Sequence, residues 1–448
     1  MTTRLLIVAV LLLGSAPVIA QDARGPILAR ATLDVTVRSE VVATLTAGCE
    51  RCDWAVEGRE AVLLEVRVDG EYSQHVALVR GSHPSDYRIL LGRMRPGRHI
   101  VTVSRDARRS AAHAGDAMVD RLALSIIVPG APDFDSISRA PFLRARPGTV
   151  ERFSDFPLVM YAERNVGNEG PAPYDLQYTV IFSNEDGGTP SDRLMATWGR
   201  TTDIEFVFGV TAARGNQPPR EIIQVEGHRW VDFNGSRSAG HPELWVATDN
   251  NMVADHGADD LIRFAPAPEL IALSGVSRER VMDDEEWTYQ VTSAEMLREE
   301  RVVSSRLDGT GRMADPRRYA VVEACGELFD ATLAFEVGVR TIAGGITWHS
   351  SDLGLPAFRI ARSGCFRAGT LVPDGVFISD LDAVRVRVFR RPSAAVDGRP
   401  GQVVLTRVNQ LLMLDANFRP IHISIDWNGS VHIPLDSEGF PVPLIQRH

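Results

Sequence analysis

The sequence predicts a mainly β, multidomain protein made of antiparallel β-sandwiches with few short helices. Apolar and polar residues alternate in short runs such as Leu63 to Val68 and Val384 to Val388, and a period of two marks strands with one buried face. Turn pairs such as Asp69-Gly70 and Pro96-Gly97 separate the runs at hairpin spacing. At 448 residues the chain exceeds what a single core organises, so it should divide into roughly two to four domains.

Taken in order, residues 1–20 have the layout of a signal peptide. Arg4 supplies the positive start, Leu5 to Leu13 the short apolar run, and Pro17-Val18-Ile19-Ala20 the small residues before cleavage. No other stretch is long and apolar enough to form a transmembrane segment, so the expected location is secreted or periplasmic. Residues 21–130 read as an N-terminal β-sandwich, immunoglobulin-like in layout: Leu63 to Val68 turns at Asp69-Gly70 into Tyr72 to Val79, and Tyr87 to Leu91 leads through Arg95-Pro96-Gly97 into His99 to Ser104. Its His75 and His83 are expected at the surface. Pro132, Pro141 and Pro147 make 131–150 a Pro-rich linker. A central β-sandwich follows over 151–274. In it, Asn184 to Thr189 reads as a hairpin turn, since the alternating oxygens of a calcium loop are missing. From 275 to 448 the chain is a C-terminal β-rich domain. One short helix is expected over Ser293 to Arg301, and strands over Tyr319 to Glu323, Ala331 to Val339 and Ala383 to Phe389.

Composition narrows the function. Every basic residue is Arg, and without Lys there is no Schiff-base or phosphate-loop lysine chemistry. A net charge of −10 with no basic block leaves no footprint for nucleic acid. The four cysteines suit disulfides in an exported chain, with Cys49 pairing Cys52 and Cys325 pairing Cys365.

Candidate site residues concentrate between Tyr178 and His256. Strand alternation from Thr202 to Val210 puts Ile204, Phe206, Phe208 and Val210 on one face, and Asp203 with Glu205 on the other. Two neighbouring carboxylates call for a cation or water between them. In Glu221 to Phe233, Ile223, Val225, Val231 and Phe233 share one parity, while Gln224, Glu226, His228 and Asp232 share the other. His228, His241 and His256 are three of the 11 histidines, and Asp249 and Asp255 fall in the same window. Asp203, Glu205, His228 and His241 are the candidate metal ligands, for a divalent cation such as Ca²⁺ or Mg²⁺. Trp230, Asp249, Asp255 and His256 are the candidate ligand-binding residues. Trp198, Trp230 and Trp245 can stack on sugar rings or fill a core.

Thr202-Asp203-Ile204-Glu205, followed by Gly227-His228-Arg229 and by the His241-Pro242 strand with its polar loop, resembles the β-sandwich domain shared by necrosis-inducing-like and vacuolar-protein-sorting-like secreted proteins. The resemblance covers Tyr178 to His256, with the acidic strand lying upstream of the Gly-His-Arg echo. It implies a cation held by carboxylates and His at one end of the sandwich, meeting a membrane or glycan head group.

Hydrolase and nucleotide signatures are missing: there is no Gly-x-Ser-x-Gly, no His-Glu-x-x-His, no dinucleotide glycine fingerprint and no phosphate loop. The leading expectation is an exported protein that binds an envelope or extracellular ligand, a glycan or lipid head group, through a metal in the central domain. The alternatives are a metal-assisted secreted hydrolase and a purely structural envelope protein.

Overall fold

The computed structural model describes residues 25–166, 174–211, 218–303, 309–392, 401–435 and 439–442; the expected signal peptide lies outside them. About half of the chain is strand and 11% is helix, and apart from the two-stranded pair of Val302–Val303 and Met313–Ala314 the sheets form three two-sheet sandwiches. No helix among the described residues is long and apolar enough to cross a membrane.

In the N-terminal sandwich, one sheet orders Ile27–Val35, Gly97–Arg105, Leu63–Val68 and Glu71–Ala77, and faces a sheet of Ser85–Met94, Ser39–Cys49 and Ala117–Ile127. Leu64, Val66, Val76, Val101 and Val103 supply its core from one sheet, and Val41, Ala43 and Leu45 from the other. The Asp69-Gly70 turn has both residues at positive φ, 53° and 86°, the twist that a two-residue hairpin needs. His83 is exposed as expected. His75 is not a surface residue: it is only 2% exposed, held between Tyr72 and Asp106.

Residues 131–150 are not a linker. They contain helix Phe134–Arg139, the strand Phe142–Arg144 and the start of helix Thr149–Arg152. That strand runs inside a sheet of the central sandwich, parallel to His241–Val246 and antiparallel to Arg263–Phe264. The prolines stand beside Phe142-Leu143-Arg144 rather than inside it, so the ladder forms. The facing sheet has six strands in the order Arg229–Asp232, Glu221–Val225, Ile204–Thr211, Tyr174–Phe182, Pro157–Val166 and Glu269–Ile271. Phe142, Leu143, Leu176, Tyr178, Val180, Phe208 and Leu244 meet between the two sheets.

The C-terminal sandwich packs the sheet of Gly364–Leu371, Tyr319–Phe329, Gln402–Leu414 and Pro420–Pro434 on that of Ile346–Ser350, Ala331–Arg340, Leu381–Arg390 and Phe440–Val442. Val384, Val386 and Val388 are buried, and Arg385 and Arg387 on the opposite face meet Glu336. Cys325 and Cys365 face each other across adjacent strands and are bonded, as are Cys49 and Cys52.

The expected helix begins earlier, at Trp287, and runs to Arg298, so Ser293 is a buried interior residue rather than its cap. This helix and the shorter Arg280–Asp284 wedge between all three sandwiches. Val291 joins Trp54, Leu63 and Phe156; Tyr289 and Met282 join Tyr161 and Ile181; Met296 joins Tyr319 and Val321.

Candidate functional site

The acidic strand departs from simple alternation at one place. Tyr178 pairs with Phe208 but Thr179 pairs with Phe206, so Val207 is an inserted residue, a β-bulge. Phe208 and Val210 therefore enter the central core, whereas Ile204 packs with Tyr161 and Ile181, and Phe206 packs with Tyr174 and Ile222. The single shared face expected for these residues is split in two, and Phe206 is turned toward the C-terminal sandwich side.

Glu221 to Phe233 is two strands joined by a tight turn, with Gly227 at φ 75° and His228 at φ 57°. The predicted parity holds through the turn because Ile223 pairs with Val231. Ile223, Val225, Val231 and Phe233 all meet the central core, while Gln224, exposed His228 and half-buried Trp230 look the other way.

That outward side is the wall of a cleft of about 1280 Å³ between the six-stranded sheet and the C-terminal sandwich. Asp203, Glu205, His228 and Trp230 all line it, as do Gln177, Thr179 and Gln224. Trp230 leans edge-on against Phe206, with ring centroids 4.5 Å apart at 62°. Trp198, also on the lining, ends helix Ser191–Trp198, and the guanidiniums of Arg362, Arg200 and Arg278 stack on it at 3.5, 4.9 and 4.9 Å.

The carboxylates carry the unusual electrostatics. Asp203 is 2% exposed, and Glu205 is half-buried. Burial, then the charge of Glu205, pushes the Asp203 carboxyl well above its ordinary range, against Arg200 and Arg278. Burial also pushes Glu205 up. Asn251 donates to Asp203 at 3.3 Å, and Arg200 lies 3.7 Å from it. Two carboxyls in mutual contact and away from bulk water are best satisfied with one proton between them. Glu185, on the same wall, is pushed up to about 7 by burial and then by Asp203.

Glu185 is placed by a loop that the sequence misrepresents. Asn184 to Thr189 is no hairpin turn; it leads from strand Tyr174–Phe182 into helix Ser191–Trp198. Its Asp186 is a hub for Arg146, Arg152 and Arg301, the last at 2.9 Å. Arg301 also donates to the Glu185 carbonyl at 2.7 Å.

The remaining predicted residues lie elsewhere. His241 is fully buried at the joint with the N-terminal sandwich, with Nδ1 2.8 Å from the Ala140 carbonyl and Nε2 2.9 Å from Glu40. It therefore lies apart from Asp203, Glu205 and His228, which themselves do not come close enough together to share an ion. Asp249 is bound by Arg146 beside the cleft, where its neighbour Asn250 lines the wall. Asp255 caps the Asn234 amide and pairs with the exposed His256, so both leave the site. Trp245 is a core residue whose indole donates to the Ala258 carbonyl. Among the described residues, the one group of His, Cys, Asp or Glu close enough to share an ion is Glu65, His75 and Asp106, none of which was predicted as a ligand.

Arg200, Arg278, Arg362 and Glu185 were missed, while Trp198 was named only as a residue able to stack on a sugar or fill a core. Trp198-Gly199-Arg200 stands just before the acidic strand and was legible as a second aromatic and basic element. Arg362 comes from another sandwich, and no local pattern marks it. Comparison of the sequence with protein-family models and with curated proteins finds no match, so the functional reading rests on this cleft.

Proposed function

We propose that the protein is an exported binding protein whose cleft holds a hydroxyl-rich ligand, a glycan segment. The observation that carries this reading is the cleft itself: carboxylates, amides and two tryptophans, Trp230 and Trp198, line it together. Sugars are held by this combination, since carboxylates and amides accept and donate to hydroxyls while an aromatic face covers the ring's C–H surface. At about 1280 Å³ the cleft exceeds the range of roughly 300–1,000 Å³ typical of small-molecule sites, which favours an oligosaccharide over a single ring.

Titration calorimetry with a panel of soluble envelope and extracellular oligosaccharides tests it. Trp230→Ala and Glu205→Gln should each weaken the best ligand about tenfold or more, some 1.4 kcal/mol, with melting temperatures little changed. A panel with no binder, or a binder indifferent to both variants, sinks the reading. A second reading, hydrolysis in the same cleft, draws support from the raised Asp203 carboxyl beside Glu205, which is the state required of a general acid. Turnover of the bound oligosaccharide that Asp203→Asn abolishes would establish it.

A further inference from the structure

The N-terminal sandwich holds a second constellation, unrelated to the cleft. Glu65 stands directly opposite His75 on the neighbouring strand and opposite Ser104 on its other side. Asp106 follows immediately after the Ser104 strand, which ends at Arg105. Leu64, Val66 and Val76 point into the sandwich core, so alternation turns Glu65 and His75 to the outer face. There the imidazole is buried at 2%, and the carboxyl side chains of Asp106 and Glu65 are 8% and 19% exposed. One ligand atom from each of the three lies within 4.8 Å of the others, and His75 Nε2 is 3.2 Å from Asp106 Oδ2. Ligand atoms on a tetrahedral ion with bonds of about 2.0–2.2 Å are separated by about 3.3–3.6 Å. The His75–Asp106 edge needs only a few tenths of an ångström to accept one.

The surroundings hold these ligands in place. The Tyr72 hydroxyl is 2.9 Å from His75 Nδ1 and is itself fixed by accepting the Arg263 amide at 2.9 Å. The ring's second nitrogen thus has the oxygen partner that metal-bound histidines use for orientation. Asp106 Oδ1 accepts the amides of Arg108 and Arg109 at 3.1 and 3.3 Å, which leaves Oδ2 directed at the imidazole. Two guanidiniums compete for the carboxylates, Arg109 at 2.8 Å from Asp106 and Arg67 on Glu65. Their side chains are 35% and 22% exposed and can swing into water. His75 also borders a cavity of about 290 Å³ at the joint with the central sandwich, which supplies an approach.

We propose that Glu65, His75 and Asp106 form a binding site for a divalent transition metal, with Zn²⁺ the ion best suited to one imidazole and two carboxylates, and that the ion displaces Arg67 and Arg109. Three protein ligands leave one tetrahedral position for water. The proposal is independent of the glycan reading, since neither site shares a residue with the other.

The test uses the full chain stripped with a chelator, then titrated with Zn²⁺ by calorimetry and with Co²⁺ by visible absorption, Zn²⁺ being added back to displace the cobalt bands. The expected result is one ion per chain with micromolar or tighter affinity. His75→Gln and Asp106→Asn each remove a ligand and should weaken it by at least the roughly 10- to 100-fold that loss of an outer-shell partner costs, and Arg109→Ala, which removes a competitor, should tighten it. Should His75→Gln fail to fold, Glu65→Gln and Arg109→Ala carry the test. No stoichiometric binding, equal affinity in the wild type and a folded ligand variant, or an Arg109→Ala chain that binds no more tightly overturns the site.

Discussion

Glu185 makes the cleft's electrostatics testable one side chain at a time. Its carboxyl is raised from 4.5 to about 7 in the folded chain. An acid raised on folding stabilises the fold fully below its unfolded value and loses that contribution as pH rises through the folded one. Glu185→Gln should therefore change stability little at pH 5 and raise the melting temperature by a few degrees at pH 8. A melting difference that stays flat between the two would show that Glu185 keeps an ordinary carboxyl. Asp186, next in sequence, behaves in the opposite sense. Its contacts with Asp155, Arg146 and Arg152 outweigh burial and hold it down to about 2, so its contribution is lost only on strong acidification. Adjacent acids thus titrate at opposite ends of the range. The difference comes from arginines brought in from distant segments, which sequence proximity cannot show. His228 and Trp230 were legible because strand parity placed them on one side, whereas Asp203 and Glu205 reach the cleft together with Phe206, from which parity had separated them. His241, Asp255 and His256 were misassigned because density in sequence is not proximity in space.

At the scale of elements, alternation was read correctly wherever a strand ran without interruption. Leu63 to Val68 and Ala383 to Phe389 form as expected, and the parity of Ile223, Val225, Val231 and Phe233 survives a turn. It failed at Val207, where an extra residue leaves Phe208 and Val210 in the core but turns Ile204 and Phe206 away from it, and no side chain announces a bulge. The Pro-rich stretch was misread for a different reason. Three residues between prolines are enough for a strand when partners on both sides supply the ladder, and those partners are about a hundred residues away. Leu143 makes this quantitative, being fully buried opposite Leu244 and Phe264. Leu143→Ala should cost about 2–5 kcal/mol by denaturant unfolding, as a core residue does. A cost below about 0.5 kcal/mol, the range of surface substitutions, would restore the linker reading.

At the scale of the molecule, two disulfides stand in unequal positions. Cys325 and Cys365 are separated by 40 residues and join neighbouring strands, whereas Cys49 and Cys52 are separated by 3. On loop-closure entropy the longer link contributes about 4 kcal/mol and the shorter about 2 kcal/mol. Replacing Cys325 and Cys365 together by Ala should lower the unfolding midpoint of the C-terminal sandwich more than the Cys49 and Cys52 pair lowers that of the first. Equal losses would show that local packing sets the cost instead. Cys365 also lines the cleft, so the same double variant should weaken oligosaccharide binding through the wall it supports.

The joint between the first two sandwiches is made of main chain as well as side chain. The amides of Leu90 and Arg93 donate to the carbonyls of Ala265 and Ala239, and that of Ala267 donates back to Arg88, with His241 and Glu40 clasped beneath. Tension pulling the two apart along the strands would have to shear these bonds together rather than peel them in turn. Whatever anchors the leading module would then carry the mouth of the recess at a fixed bearing, like a bracket rather than a tether.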